Sequence, residues 1–330
     1  MINLIIPTYK ARATLPAALD SLVAQTKKFF IVTIVQDCDG EDYTDIIDEY
    51  RRRGLKIFLL KTPKNGGPGV ARQLGMDSDK MSKFFMFMDS DDILNPRAIE
   101  IFSHEAESNN ADIITSDFLV DRPGAQSYVM NFETTPCTWT HGKCYRAQYL
   151  RDLAIRFRDD LRLNEDSYFN LVANNCTKNK LGVHEVTYVW HQNPNSLTHS
   201  DGGTGFFVKS WSQYILSQVY GLMDITARTE IDPGLVAATF INIYTHHMKA
   251  LSGALTIKCG EYDEFCFATV ANALATLKDN EKIMAALRDS KFWGYIVDHL
   301  MASEMFDDNI IFYKMRFCDW LKEYVTEEIA

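Results

Sequence analysis

The sequence lacks a Cys-x-x-Cys pair, an uninterrupted apolar stretch of about 18 residues and an excess of positive charge, and each absence excludes a class of protein. The seven cysteines, an odd number, fit neither a disulfide framework nor a zinc site, so we expect reduced thiols and a cytoplasmic location. The N-terminus does not resemble a signal peptide, and we expect no transmembrane segment. The 34 basic and 44 acidic residues give a net charge of −10, which argues against nonspecific binding to nucleic acid.

The length of 330 residues suits one large domain and one smaller domain. The first 120 residues or so alternate short β-rich runs with helical patterns, which predicts an α/β fold with a mostly parallel sheet flanked by helices. Further along, apolar and aromatic residues recur at helical spacing. We therefore expect an α/β domain over 1–205 and an all-helical domain over 206–330.

The stretch MDSDD at 88–92 ends an apolar run with three carboxylates. Residues two apart on a strand point to the same side, so we expect Asp89 and Asp91 to face one divalent cation. Carboxylate oxygens suit Mg²⁺ or Mn²⁺, with water and substrate phosphates completing the coordination. The alternative is a strand end before a helix, with Asp92 as the N-cap.

Three further loops carry polar residues or glycines where predicted strands end, and in such sheets ligands bind beyond the carboxyl ends of the strands. The segment KNGGPGVARQLG (64–75) offers glycines and N–H donors for close approach of a ligand. It lacks the GK[ST] of a Walker loop and does not follow the first strand as a dinucleotide-binding loop does. The alternative for this glycine-rich loop is a simple turn into a helix.

In their order along the chain, PTYK, QDCDG, NGGPGVARQLG and MDSDD resemble the signature motifs of the family 2 glycosyltransferases, which have the GT-A fold. The resemblance covers about residues 1–200. It continues through WTHGKCYRAQYLRDLAIRF (139–157), similar to the acceptor-side helical segment, and NEDSYFN (164–170), similar to the Glu-Asp base motif. It ends at YVWHQNPNSLTH (188–199), similar to the loop that closes over the donor diphosphate.

This resemblance implies an inverting, metal-dependent enzyme that moves a sugar from a nucleotide-diphosphate donor, expected to be UDP-linked, to a hydroxyl of a glycan or other acceptor. Polysaccharide or glycoconjugate synthesis is the usual setting of the family. Asp166 would be the general base, and Glu165 would raise the pKa of Asp166 by like charge or would face away. Asp89 and Asp91 would bind Mn²⁺ or Mg²⁺, which would stabilise the departing diphosphate.

The resemblance also implies residues for the donor and the acceptor. Asp37 would contact the base, and Arg72 would contact a phosphate or orient a carboxylate. The full donor-binding set would be Pro7, Thr8, Tyr9, Asp37, Asp39, Asn65, Gly67, Arg72, Asp89, Ser90, His191 and Ser196. The acceptor candidates are Trp139, His141 and Lys143, with packing as the alternative role for Trp139. The helical domain would bind the acceptor or form a homo-oligomer.

The sequence departs from the family pattern at three places. It has Gln36-Asp37-Cys38-Asp39 where Asp-Asp-Gly-Ser is usual, Gln73 where Asn is usual, and His191 where Arg is usual. The departures bear on the base pocket, the sugar contacts and the diphosphate contact respectively.

Three other functions remain open from the sequence. Transfer to a modified base in DNA would need a basic face on the helical domain, whose charges are mixed in sign. A non-catalytic nucleotide-sugar-binding scaffold would not need Asp89, Asp91 and Asp166 together. A nucleotidyltransferase would need a basic, glycine-rich loop directly after the first strand, and the segment after PTYK contains no glycine.

Overall fold

The computed structural model divides the chain into two compact units, Met1–Ser196 and Leu197–Ala330. The domain boundary and the domain roles expected from the sequence stay predictions. The structure describes residues 1–133, 138–192, 204–251, 263–302 and 310–326.

The first unit alternates strands and helices over its first hundred residues and then adds further strands. Its elements are β1 (Ile2–Thr8), α1 (Leu15–Val23), β2 (Phe30–Gln36), α2 (Thr44–Arg52), β3 (Ile57–Lys61), α3 (Pro68–Ser78), β4 (Phe84–Phe87), β5 (Ile93–Leu94), α4 (Ala98–Ser108), β6 (Ile113–Asp121), β7 (Tyr128–Met130), β8 (Lys143–Arg146), α5 (Ala147–Asp152), α6 (Glu165–Asn175) and β9 (Lys180–His191).

These strands form one sheet in the order β3-β2-β1-β4-β8-β6-β9-β5, with β7 paired to β6. The neighbours β3, β2, β1 and β4 are parallel, as the alternating pattern predicts. Strand β8 then runs antiparallel to both β4 and β6, while β9 is parallel to β6. The α/β fold class is confirmed, but within the described residues the sheet is mixed rather than mostly parallel.

The central strands of the parallel half, β1 and β4, are buried on both faces. All seven residues of β1 and all four of β4 are buried, which explains why their sequences are continuous apolar runs rather than alternating ones. Helix α3 packs close to β1 at Gly75, where an added Cβ would lie 2.6 Å from Cγ2 of Ile5. Only glycine permits this close approach of α3 to β1 without a shift of Ile5.

The second unit is helical throughout its described residues, so the expectation of a helical C-terminal region is confirmed. A core of apolar and aromatic side chains holds these helices together, and in it Trp320 Nε1 donates to Nδ1 of the buried His247 over 3.1 Å. No described helix combines the length and apolar character that crossing a membrane requires. The helices are α7 (Thr204–Arg228), α8 (Pro233–Leu251), α9 (Asp263–Ala275), α10 (Glu281–Leu287), α11 (Ser290–Ala302) and α12 (Ile310–Tyr324), with a 3₁₀ turn at Thr276–Asp279.

Candidate active site

Asp37 connects the loops that follow β1, β2 and β3. Its backbone N–H donates to the carbonyl oxygen of Thr8 over 2.8 Å. Its buried carboxylate accepts hydrogen bonds from Thr62 Oγ1 at 2.8 Å and from the N–H groups of Gly66 and Gly67 at 2.9 and 2.7 Å. The residue therefore shapes the glycine-rich loop, and the base contact implied for it stays a prediction.

Asp39, in the loop after β2, is the acceptor of a second group of hydrogen bonds. It accepts from Lys10 N–H at 2.7 Å, Tyr43 Oη at 2.6 Å and Glu41 N–H at 3.0 Å, and also from Gln36 Nε2. Burial alone would raise the pKa of Asp39, but these donors outweigh it and lower the pKa to about 2. Two departures from the family pattern thus complement each other, because the amide of Gln36 donates to the carboxylate that stands in place of serine.

The remaining donor-side residues differ in how far they can reach a ligand. Pro7 and Thr8 are buried in β1, whereas Tyr9 is 50 % exposed. Asn65 donates to the carbonyl oxygen of Asp37 at 3.4 Å and accepts from Arg162. Of the four, Tyr9 presents the largest free surface to a ligand.

The motif MDSDD forms a turn rather than a strand end. Strand β4 stops at Phe87, and the N–H of Asp92 donates to the carbonyl oxygen of Asp89 over 3.2 Å. We call residues 89–92 the acidic turn. Asp89 and Asp91 therefore do not lie on a strand, and the argument that strand alternation points them to the same side is wrong. Their role as metal ligands stays a prediction.

The carboxylate of Asp92 lies under the acidic turn. It accepts from Tyr188 Oη at 2.6 Å and from His191 N–H at 2.8 Å, while Tyr188 Oη accepts from Asp89 N–H at 3.1 Å. Burial, then the charges of Asp89 and Asp91, raise the pKa of Asp92 well above its ordinary value. The alternative role as a helix N-cap is wrong, since α4 begins only at Ala98.

The acidic turn fits the metal that the resemblance implies. Asp89, Ser90 and Asp91 are partly exposed and carry hard oxygen donors, the kind that Mg²⁺ and Mn²⁺ prefer. No described group of three or more His, Cys, Asp or Glu side chains has the arrangement of a metal site. Asp89, Ser90 and Asp91 would therefore suit an ion that takes its other ligands from water and substrate phosphates.

Arg72, on α3, joins the acidic turn to the base motif. One terminal nitrogen donates to Asp89 Oδ1 at 2.6 Å and the other donates to Glu165 Oε1 at 2.7 Å. The arginine side chain is only 5 % exposed, and its Nε has no hydrogen-bond partner among the described residues. Arg72 thus pairs with two carboxylates, and both roles that the resemblance implies for it stay predictions.

Glu165 and Asp166 begin α6, where negative charge is favoured by the helix dipole. Gly69 makes room for Glu165, because a Cβ there would lie 2.7 Å from Glu165 Cγ. Burial and then Asp166 raise the pKa of Glu165 to about 7, with Arg72 opposing the change. Burial also raises the pKa of Asp166, again opposed by Arg72. Glu165 therefore pairs with Arg72 rather than facing away, and the like-charge effect expected between the two carboxylates contributes to the raised pKa of Glu165 after burial.

The three acceptor candidates lie together before and within β8. Lys143 Nζ donates to the carbonyl oxygen of Trp139. Asn170 Nδ2 donates to the carbonyl oxygens of Thr138 and Asp166 at 2.9 and 3.0 Å. This places the segment beside the base motif. His141 and Lys143 are only 7 % and 3 % exposed, whereas Trp139 is partly buried and is the most exposed of the three.

His141 lies inside an aromatic cluster. Its ring stacks on those of Tyr188, Trp190 and Trp139 at centroid distances of 5.0, 5.5 and 5.8 Å. Burial lowers the pKa of His141 to about 3, so the ring is neutral at physiological pH. Tyr188 and Trp190 were not predicted as site residues, although the motif YVWH brings them to the end of β9.

His191 ends β9 and pairs with β6. Its Nδ1 lies 2.7 Å from Asp121 Oδ2, a contact that occupies one side of the ring. Ser196 lies outside the described residues. The diphosphate contacts implied for both residues stay predictions.

The family model of Glycosyl transferase family 2 matches residues 3–161, which contain the loops, the acidic turn and Arg72. The chain carries a family 2 glycosyltransferase domain. The resemblance deduced from the motifs is thereby confirmed, and so is the expectation of a transferase-class enzyme.

Curated relatives of this family 2 domain come from bacteria. The chain is 25 % identical over 218 residues to the uncharacterized glycosyltransferase EpsJ of Bacillus subtilis, covering 60 % of this chain and 63 % of EpsJ. It is 28 % identical over 184 residues to the poly(ribitol-phosphate) beta-N-acetylglucosaminyltransferase TarS of Staphylococcus aureus, covering 52 % of this chain and 32 % of TarS. The chain thus spans less than two thirds of the length of either relative.

Solved structures show the same fold. The crystal structure of S. aureus TarS 1-349 in complex with UDP-GlcNAc matches with a TM-score of 0.65 and 18 % identity, covering 91 % of this chain and 84 % of that one. The mannosyltransferase PcManGT from Pyrobaculum calidifontis, in complex with GDP-Man and Mn²⁺, matches with a TM-score of 0.54 and 13 % identity, covering 93 % and 88 %. The family 2 domain therefore has the GT-A fold predicted for it.

Proposed function

We propose that this protein is an inverting, metal-dependent glycosyltransferase that moves a sugar from a UDP-linked donor to an acceptor hydroxyl. The observation that carries the proposal is the path Asp89–Arg72–Glu165, which holds the donor-side carboxylate and the base motif at one edge of the sheet. The choice of UDP rests on the likeness to the TarS structures solved with UDP and with UDP-GlcNAc.

In this mechanism the acceptor oxygen attacks the anomeric carbon from the face opposite the diphosphate, and the bond to the diphosphate oxygen breaks. Asp166 takes the proton from the attacking hydroxyl, and its raised pKa brings its basicity closer to that demand. A cation at the acidic turn would offset negative charge on the leaving diphosphate. Glu165 stays paired to Arg72 and keeps the first turn of α6 in place.

The acceptor we propose is a hydroxyl-bearing glycan or polyol polymer of polysaccharide or glycoconjugate synthesis. TarS, the relative described above, is named for transfer to poly(ribitol-phosphate), which supports a polymeric acceptor. Acceptor binding or self-association by the helical region, and a cytoplasmic location, belong to the same proposal.

The test is release of nucleoside diphosphate from a panel of UDP-, GDP- and dTDP-sugars with Mn²⁺, Mg²⁺ or EDTA. We expect one UDP-sugar to be turned over only with metal, and the release to be lost in Asp91→Asn and in Asp166→Asn. Asp48→Asn is the control, because Asp48 is exposed on α2 and its ion-pair partner among the described residues is Arg51. Failure of every donor both to react and to bind in the presence of metal would contradict the proposal.

A further inference from the structure

We propose that Tyr188 is a positioning residue that holds the acidic turn in the shape that binds metal and diphosphate. The inference rests on the proposed function. Tyr188 lies on β9, outside the four donor-side loops, and its proposed role is to position the turn rather than to bind the cation or the sugar.

The hydroxyl of Tyr188 bridges the two ends of the acidic turn. It accepts from the N–H of Asp89, the first residue of the turn, at 3.1 Å and donates to Oδ2 of Asp92, the last residue, at 2.6 Å. Together with the bond from Asp92 N–H to Asp89 carbonyl oxygen at 3.2 Å, this closes a ring of hydrogen bonds around the turn. Asp91, one of the two proposed metal ligands, lies in the chain between the two residues that these bonds hold, Asp89 and Asp92.

The ring of Tyr188 cannot move away from this position. Tyr188 pairs with Leu94 of β5 on one side and with Phe118 of β6 on the other, in the interior of the sheet. It is 1 % exposed, and its ring lies 5.0 Å from that of His141 at an angle of 27°. The hydroxyl is therefore presented to the turn by a rigid support rather than by a mobile side chain.

Asp92 needs this hydroxyl because its carboxylate is buried. The side chain is 1 % exposed and has two hydrogen-bond donors, Tyr188 Oη and His191 N–H. Removing one donor leaves a buried carboxylate oxygen unsatisfied, and removing the hydroxyl also leaves the N–H of Asp89 without its acceptor. The turn would relax to satisfy both groups, and the spacing of Asp89 and Asp91 would change with it.

The experiment compares Tyr188→Phe with Tyr50→Phe in the full chain. Tyr50 is a matched control, since its hydroxyl also lies between two groups, the carbonyl oxygen of Pro16 at 2.7 Å and Oδ1 of Asp20 at 2.9 Å, which share its single proton. Binding of Mn²⁺ in the presence of UDP is followed by electron paramagnetic resonance. Hydrogen exchange of a peptide over 86–93 is followed by mass spectrometry.

We expect Tyr188→Phe to weaken binding of Mn²⁺ with UDP by about tenfold, the loss that one to two hydrogen bonds account for, and to speed exchange in the turn. Tyr50→Phe should leave both readouts unchanged at a similar cost in stability. Wild-type binding by Tyr188→Phe, with or without faster exchange, would overturn the inference. If the wild-type protein binds no Mn²⁺ with UDP, the proposed function is wrong, and exchange of the turn then decides the role of Tyr188 by itself.

Discussion

Arg72 and Glu165 are 93 residues apart in the chain and meet in a buried ion pair 2.7 Å long. The pair joins α3 of the parallel half of the sheet to the start of α6, which also carries Asp166. Its position makes it a structural requirement of the site as well as an electrostatic one.

We expect the losses of stability from removing the two partners to be non-additive. Arg72→Gln leaves Glu165 buried without its cation and should lower the free energy of unfolding by about 3 kcal/mol. The double variant Arg72→Gln, Glu165→Gln should lose less than the sum of the two single variants. Urea denaturation at about pH 8, where Glu165 is ionised, measures the free energy of unfolding of the wild type, the two single variants and the double variant. Simple additivity would show that the two side chains do not interact.

The raised pKa of Glu165 predicts how stability depends on pH. Its pKa is about 7 in the folded protein, against an ordinary value of 4.5, so the folded state binds the proton more tightly than the unfolded chain does. The stabilisation from this group is complete below 4.5 and is lost as the pH rises through about 7. Glu165→Gln should therefore lose less stability than the wild type between about pH 5 and about pH 8. Equal losses in the two proteins would contradict the assignment.

The lowered pKa of His141 predicts a pH dependence of stability with the opposite sign. Its pKa is lowered from 6.5 to about 3, so the unfolded chain takes up the proton first and stability falls as the pH drops from 6.5 towards 3. His141→Phe removes this titration together with a buried Nε2 that has no partner among the described residues. We expect the variant to resist acid unfolding better than the wild type, as followed by circular dichroism. A loss of turnover at unchanged stability would instead favour the acceptor role.

A side chain at position 69 should displace the base motif by steric contact. A Cβ at this position would lie 2.7 Å from Glu165 Cγ, so Gly69→Ala should displace Glu165 and lower turnover while costing about 1–3 kcal/mol of stability. Gly294→Ala is the control, because its Cβ would meet nothing within 4 Å. Thermal unfolding and donor turnover distinguish the two. Full activity in Gly69→Ala would show that the placement of Glu165 is not needed.

The parallel half of the fold was predictable from sequence because each of its strands is a separate apolar run followed by a helical pattern. The antiparallel half of the sheet was not predictable in this way. Strand β8 has four residues, Lys143–Arg146, within a segment interpreted as helical, and its pairing with β4 and β6 joins strands far apart in the chain. Short strands of this kind depend on neighbours that a local pattern does not contain.

The candidate site divides in the same way. The motifs located the acidic turn, Arg72 and the Glu-Asp pair, because each is a short local signal. The contact of Tyr188 with Asp92 spans 96 residues and depends on the register of β9 against β5, which the sequence pattern does not specify. Gln73 is a further case: its Oε1 accepts from the N–H of Phe157 at 2.9 Å, a packing role that a comparison of motifs alone does not show.

The hydrogen bonds of Asp37 have a consequence for protein engineering. Because one residue joins the loops after β1, β2 and β3 through Thr8, Gly66 and Gly67, transplanting a single loop from a relative would break bonds to the other two. A chimera intended to accept a different donor should therefore exchange the three loops as one unit, with the aspartate retained at their centre.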